Sequence, residues 1–401
     1  MLWPGDWKSP ATLALLKSTP INFLIVDSGG DFAALRNEAR SLGLTVGDRA
    51  SLPSGVRIHK GEWPGVRMSP SGGDTASAGP TGEPWVNTNG WRVAVENALA
   101  TSATIWIDAP PRDNALLRAA SYRTAIADTS SAGGRWILAL NDPLAKAIAA
   151  GNTAAVETWK STVAAAEFFN QRADWATWTP RGTIGIVSDF NGKNGLIREV
   201  VNLIGRAASH YRPMPKRDAQ QHFAGLQAVV YADAEAPDAA LRKQIVDFVN
   251  TGGMLITTPD WGVSAATARP TTRPGFRSFT HGKGRIEIAE RRVTDPYTFA
   301  NDAVILVSHK HDLVRLWNAG AHGSLRSTSP DGKRTLAQLL IYSDQAASET
   351  TAWVAGQYRS AKLYTIEEPS PRALNLVNKA GGAEMQLPDV WQYAAIELEM
   401  I

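Results

Sequence analysis

A chain of 401 residues, 44% hydrophobic and 20% charged, is too long for one ordinary domain and apolar enough for two or three cores, which excludes a disordered protein. Its formal net charge of +3 is spread over 41 Lys and Arg with no basic run, so nucleic acid is not an expected partner. The absence of cysteine excludes disulfides, thiolate metal sites and a Cys nucleophile.

The chain begins Met1-Leu-Trp-Pro-Gly-Asp6, without the charged-then-apolar layout of a signal peptide, and no run of 18 apolar residues follows. A soluble protein with no membrane partner is expected. The compartment stays open, a secreted or periplasmic protein with its leader absent included. Residues 1–180 then alternate strands and helices. Ile21 to Val26 reads as a strand ending in Asp27-Ser-Gly-Gly-Asp31, and Phe32 to Leu42 as a helix. Thr104 to Asp108 is a strand ending in Ala-Pro-Pro, Leu116 to Thr129 a helix, Arg135 to Leu140 a strand ending in Asn141-Asp142, and Val156 to Asn170 a helix. Each strand hands over to polar residues at its C-terminal end, where parallel βα folds build their sites.

Between these elements an irregular loop runs from Val56 to Trp91, rich in Gly, Pro, Trp and Asn. Long loops without periodicity are more often functional than idle. An indole face stacks on a pyranose, while amides and carboxylates grip its hydroxyls. On that chemistry the candidate ligand-binding residues are Asp27, Trp63, Trp85, Asn87, Asn89, Trp91 and Asp142. Of the 14 Trp, Trp106 and Trp136 sit mid-strand and are expected in the core. Glu62 and Glu83 are the only Glu residues of the loop, and with Asp108 they are the candidate catalytic carboxylates.

From Gly182 the pattern sharpens. Thr183 to Asp189 is a strand, and Ile197, Val200, Val201 and Ile204 share one helical face. Ala228 to Ala232 is a second strand, followed by a helix that starts at Pro237-Asp238, contains Leu241, Ile245, Phe248 and Val249, and ends at Gly252-Gly253. Met254 to Thr258 is a third strand. Strand and helix alternating with short connections predicts a flavodoxin-like parallel sheet. Phe190 to Gly195 has neither Walker nor dinucleotide spacing, so no nucleotide cofactor is expected. The Pro- and Thr-rich stretch Ser264 to Pro274 reads as a domain boundary.

Beyond it, Val304 to Ser308, Leu313 to Asn318, Leu336 to Tyr342, Ala352 to Val354, Ala361 to Ile366 and Leu387 to Leu398 read as short strands between Gly, Pro and Asp turns, an antiparallel β-sandwich. His309 and His311 alternate after the first of these, a pattern that fits a solvated strand end better than a metal site. No HExxH or GxSxG spacing occurs.

Two phrases resemble a known family. Asp247-Phe-Val-Asn-Thr-Gly-Gly-Met-Leu-Ile256 resembles the helix-turn-strand of the β-galactosidase trimerisation domain, a relative of class I glutamine amidotransferases. Active amidotransferases carry a Cys at a strand-to-helix elbow, so that activity is excluded here, and a packing role or homo-oligomer through this domain is implied instead. The closing stretch Leu387 to Leu398 resembles the β-sandwich that ends many glycoside hydrolases. The whole order resembles the three-domain β-galactosidases of the clan built on TIM barrels. The resemblance implies an α/β multidomain protein: a partial or degenerate (β/α) barrel over 1–180, a flavodoxin-like domain over 181–264 and an antiparallel β-sandwich over 275–401. It further implies a glycoside hydrolase-like protein that acts on a β-linked glycoside through a carboxylate pair in the N-terminal domain, with a carbohydrate ligand and neither cofactor nor metal. Two departures stand against it. A (β/α)₈ barrel takes about 250 residues, and the clan's strand-end Asn-Glu pair occurs only as Asn37-Glu38 inside a predicted helix. A noncatalytic carbohydrate-binding or scaffolding descendant is therefore the alternative.

Overall fold

The computed structural model describes residues 1–26, 29–67, 69–70, 76–77, 85–100, 102–111, 117–221, 223–262, 269–270, 273–343, 348–368 and 370–401. In the N-terminal part, β1 (Phe23–Ile25) and β2 (Thr45–Gly47) pair in parallel, joined by helix α1 (Ala33–Ser41). The stretch expected as loop from Val56 opens instead with strand β3 (Val56–Lys60). A short antiparallel pair follows, β4 (Gly65–Arg67) with β5 (Trp85–Asn87), and then helix α2 (Gly90–Leu99). Next, β6 (Thr104–Asp108) and β7 (Arg135–Trp136) extend the ladder of β3, all parallel, with helix α3 (Ala119–Ser131) between them. Leu2 joins the two ladders, bridging Ile25 and donating its amide to Leu138 O at 2.7 Å. Only Arg135–Trp136 of the strand expected to run to Leu140 pairs as a strand. Asn141 caps helix α4 (Asp142–Ala149), its side chain accepting from Leu144 N at 3.2 Å, so Asp142 is a first-turn helix residue and not a strand end. Helix α5 (Thr153–Asn170) completes this part.

Among the described residues the middle sheet has seven strands. Five are parallel: β8 (Ile184–Ser188), β9 (Tyr211–Pro215), β10 (Ala228–Tyr231), β11 (Met254–Thr257) and, beyond the expected boundary, β13 (Gly284–Ala289), which pairs antiparallel with β12 (Phe276–His281). Alternate side chains leave opposite faces of a strand. Ile184, Ile186, Ala228 and Val230 pack on one side with helix α6 (Leu196–Arg206), while Val187, Val229 and Tyr231 pack on the other with helix α7 (Ala239–Asn250). Burial on both faces is why these strands read as unbroken apolar runs. The Asp238 side chain caps α7, as the sequence indicates, accepting from Leu241 N at 2.8 Å.

Val304 to Ser308 is a correction. Residues 304–307 close helix α8 (Pro296–Val307), which starts at the Asp295 cap with Pro296 in its first turn and packs with α6 on the middle sheet. The four apolar residues have no period of their own, and the upstream cap decides for helix. The sandwich therefore starts at Val314, not at 275.

Its strands are β14 (Val314–Trp317), β15 (His322–Thr328), β16 (Arg334–Ile341), β17 (Thr351–Ala355), β18 (Tyr358–Thr365), β19 (Leu376–Lys379), β20 (Gly382–Gln386) and β21 (Tyr393–Met400). A four-stranded sheet, β14-β17-β20-β19, faces a six-stranded one in which β15, β16, β21 and β18 are central and Thr179–Arg181 is an edge. In β16 and β21, Ala337, Leu339, Ala394 and Ile396 fill the sandwich interior. Leu336, Leu340, Tyr393 and Ala395 turn the other way into the N-terminal core, where Phe169 meets Tyr393 at 4.9 Å between ring centres. The sandwich is thus a wall of the N-terminal part. On another side, Arg198 of α6 ties α2 to the middle sheet by donating to Glu96 at 2.5 Å and to Phe190 O at 2.7 Å.

Candidate functional site

The C-terminal ends of β3 and β6 open into a cleft of about 1130 Å³ whose lining includes Arg49, Lys60, Glu62, Trp63, Asn87 and Asp108. Parallel pairing sets Lys60 beside Asp108 and puts the two residues that follow β3, Gly61 and Glu62, past the end of β6. Gly61 N donates to Asp108 O at 2.9 Å. The Asp108 carboxylate, 13% exposed, is ion-paired with Arg49. Arg49 stands on a turn after β2 that Asp48 fixes, its side chain accepting from the Ala50 and Ser51 amides at 2.8 Å each. The ring of Trp63 leans edge-on against Tyr122 and Trp136, with centres 5.3 and 5.2 Å away.

Glu62 is exposed, yet its backbone is held by the side chain of buried Asn89. Glu62 N donates to Asn89 Oδ1 at 3.0 Å, and Asn89 Nδ2 donates to Glu62 O at 2.8 Å. Asn89 is held in turn by Asp128 Oδ2, which accepts from Asn89 N at 2.6 Å and Asn89 Nδ2 at 3.2 Å. Tyr342, just past the end of β16, donates its hydroxyl to Asp128 Oδ1 at 2.8 Å. Burial pushes the Asp128 carboxyl up to about 6, against hydrogen bonds from Asn89, Tyr342 and Gly90 that favour its ion. Beyond Glu62 lie Arg92 of α2 and Glu199 of α6. Burial draws the Arg92 guanidinium down, which Glu62 opposes, and burial raises the Glu199 carboxyl, which Glu62 reinforces.

Of the residues expected to meet a ligand, Glu62, Trp63, Asn87 and Asp108 line the cleft together. Asn89 lies beneath it as a backbone clamp. Trp91 is corrected: it is 8% exposed, packs in the middle core and donates Nε1 to Thr88 O at 3.0 Å. Asp142 is exposed on α4 and not part of the lining. Asp27 and Glu83 lie outside the described residues, as does the side chain of Trp85. Trp136 is in the core as expected, and Trp106 packs edge-on to Phe23 at 5.2 Å. Sequence reasoning missed Arg49, Lys60, Asp128 and Tyr342. Only Asp128 carried a signal, a lone acid directly after the apolar helix run Ala125 to Ala127.

His309 is not at a strand end but in a single 3₁₀ turn after α8, with Nδ1 2.7 Å from Asp312 Oδ2. Among the described residues, no group of three or more His, Asp or Glu is placed to hold a metal ion, and no helix is long and apolar enough to cross a membrane.

Gly61 is where the clamp is tightest. A Cβ there would lie 2.2 Å from Ile107 Cγ2 and 2.8 Å from Asn89 Oδ1, and Ile107 is fully buried. Gly61→Ala should therefore cost about 1–3 kcal/mol of stability, the usual penalty of overpacking. Gly5→Ala, with nothing within 4 Å of its Cβ, should be near neutral. Urea midpoints of the two variants check this, and equal midpoints would contradict the clamp geometry.

No family model and no curated protein matches the chain. Solved structures do resemble it. Alpha-L-fucosidase isoenzyme 2 from Paenibacillus thiaminolyticus superposes with a TM-score of 0.53 at 9% identity, over 75% of this chain and 60% of its own. A GH42 β-galactosidase from G. stearothermophilus superposes with a TM-score of 0.50 at 8% identity, over 77% of this chain and 56% of its own. A rhamnosidase from Novosphingobium sp. PP1Y gives 0.50 at 11% identity, over 94% of this chain and 37% of its own. The chain thus spans less than two thirds of each. At such identities the likeness is one of fold: a mixed α/β multidomain protein of glycoside-hydrolase-like architecture, with parallel and antiparallel sheets.

Proposed function

We propose that this protein takes a β-linked glycoside into the cleft at the ends of β3 and β6 and hydrolyses it with Glu62 and Asp108 as its carboxylate pair. The N-terminal parallel strands are, on this reading, a reduced (β/α) barrel. The supporting observation is that two carboxylates from separate strand ends line one cleft beside Trp63. Glycoside hydrolysis asks for that arrangement, one group protonating the leaving oxygen and the other attacking the anomeric carbon or activating water. Asp108, oriented by Arg49, suits the second role, because the ion pair fixes its direction. Glu62, exposed on a clamped backbone, suits the first, since its side chain can reach a leaving group while its Cα stays fixed. Trp63 supplies an apolar surface for the sugar ring.

One observation favours binding without turnover. The Arg49 guanidinium already occupies the Asp108 carboxylate, and a carboxylate so engaged serves a hydroxyl contact as readily as an attack. Hydrolysis of a panel of aryl α- and β-glycosides, run beside thermal shifts with free sugars, separates the two. Turnover of a β-glycoside is the expected result. Sugar-dependent stabilisation without turnover would support the binding protein, and no response in either assay would remove both readings.

A further inference from the structure

We infer that Tyr342, contributed by the C-terminal sandwich, is a positioning residue for Glu62, acting through Asp128 and Asn89; this deepens the reading of the cleft as a glycoside site and rests on it. Glu62 follows the end of β3, so its peptide has no ladder partner there and depends on the Asn89 amide for both a donor and an acceptor. That works in one amide orientation only, with Oδ1 toward Glu62 N and Nδ2 toward Glu62 O. Asp128 selects it, because an acceptor carboxylate 3.2 Å from Nδ2 would repel the oxygen of a flipped amide. Asp128 is itself fully buried on α3 and could turn about its own side-chain bonds. The Asn89 amides hold Oδ2, the Gly90 amide adds a further bond, and the Tyr342 hydroxyl, 2.8 Å away and buried, holds Oδ1. The tyrosine comes from the sheet face that packs on α3 and α5. Seating of the sandwich against the N-terminal part thus fixes where the Glu62 side chain starts.

Hydrogen exchange of the Glu62 amide, read by fragmentation mass spectrometry on the full-length chain at pH 7, tests this without any substrate. Tyr342→Phe should accelerate that amide about tenfold, the effect of losing one hydrogen bond's worth of protection. Asp128→Asn should do at least as much, and it carries the test if the tyrosine variant does not fold. Gln338→Ala is the control. It removes another bond between the same sheet and α3, Gln338 Nε2 to Ser131 O at 2.9 Å, outside the relay, and should leave Glu62 exchange within about twofold. Unchanged exchange in folded Tyr342→Phe, or equal acceleration in Gln338→Ala, overturns the inference. A protein without glycosidase turnover still decides it, so failure of the hydrolase reading is seen separately. In an active enzyme, Tyr342→Phe should lower kcat while leaving KM nearly unchanged, the split expected of displaced catalytic geometry.

Discussion

Glu62→Gln and Asp108→Asn should each lower β-glycoside turnover by about 10³-fold, within the range that a positioned acid, base or nucleophile contributes. Both substitutions keep size and shape, and both groups stand at the cleft surface, not in a core. Thermal stability should therefore change little, and sugar-dependent shifts should survive. The double variant should fall little further than the worse single one, because residues acting on one transition state are not additive. Arg49→Ala should act mainly through Asp108, which it leaves without its partner. Undiminished turnover in the double variant would remove both residues from the catalytic role and direct attention to Glu83 or Glu199.

Acid should act on two buried groups in opposite directions. His210, before β9, is 3% exposed, and its ring joins the middle sheet to the sandwich. Leu313 N donates to its Nδ1 at 3.3 Å, so the ring proton sits on Nε2, 3.2 Å from Ser324 Oγ. Burial, with Arg326 nearby, lowers its pKa from 6.5 to about 3. Between those values the unfolded chain holds a proton the folded one lacks, so stability falls on acidification by about 1.4 kcal/mol per pH unit. Asp128 is the reverse. Its folded value of about 6 lies above the 3.8 of an unperturbed carboxyl, so the folded chain gains the proton first and stability rises on acidification through that window. From about pH 6 to 4 the two nearly cancel. Relative to the parent protein, His210→Asn should therefore gain about 1.4 kcal/mol per unit as pH falls through that range, and Asp128→Asn should lose as much. Urea unfolding at pH 4, 5, 6 and 7 gives both difference curves, and the other carboxylates cancel in the subtraction. Flat differences would contradict the burial of these groups.

The middle part was the most legible in the sequence because its signals are local. Strands buried on both faces read as apolar runs, and Asp238 and Gly252 mark the ends of α7 within the helix's own neighbourhood. The same locality misled at Val304 to Ser308, where a short apolar run fits strand and buried helix equally and the deciding cap lies nine residues upstream at Asp295. The sandwich boundary failed with it, since β12 and β13 are turn-bounded strands like those of a sandwich but join the middle sheet.

The sequence by itself determined which residue types stand at a strand's C-terminal end and which fill the Trp- and Asn-rich loop, and so it named Asp108 from the first and Glu62, Trp63 and Asn87 from the second, because both are set by chain order. It could not say that Asn89 holds a backbone while Trp91 fills a core, as an amide or an indole in a loop suits either role. Only the tertiary structure decided what grips the site. Arg49 and Asp108 meet across 59 positions, and Tyr342 and Asp128 across 214. Such pairs leave no periodicity in the chain. The first exists because the turn after β2 reaches the end of β6, the second because the β16 face packs on α3, where burial turns an ordinary tyrosine and aspartate into partners.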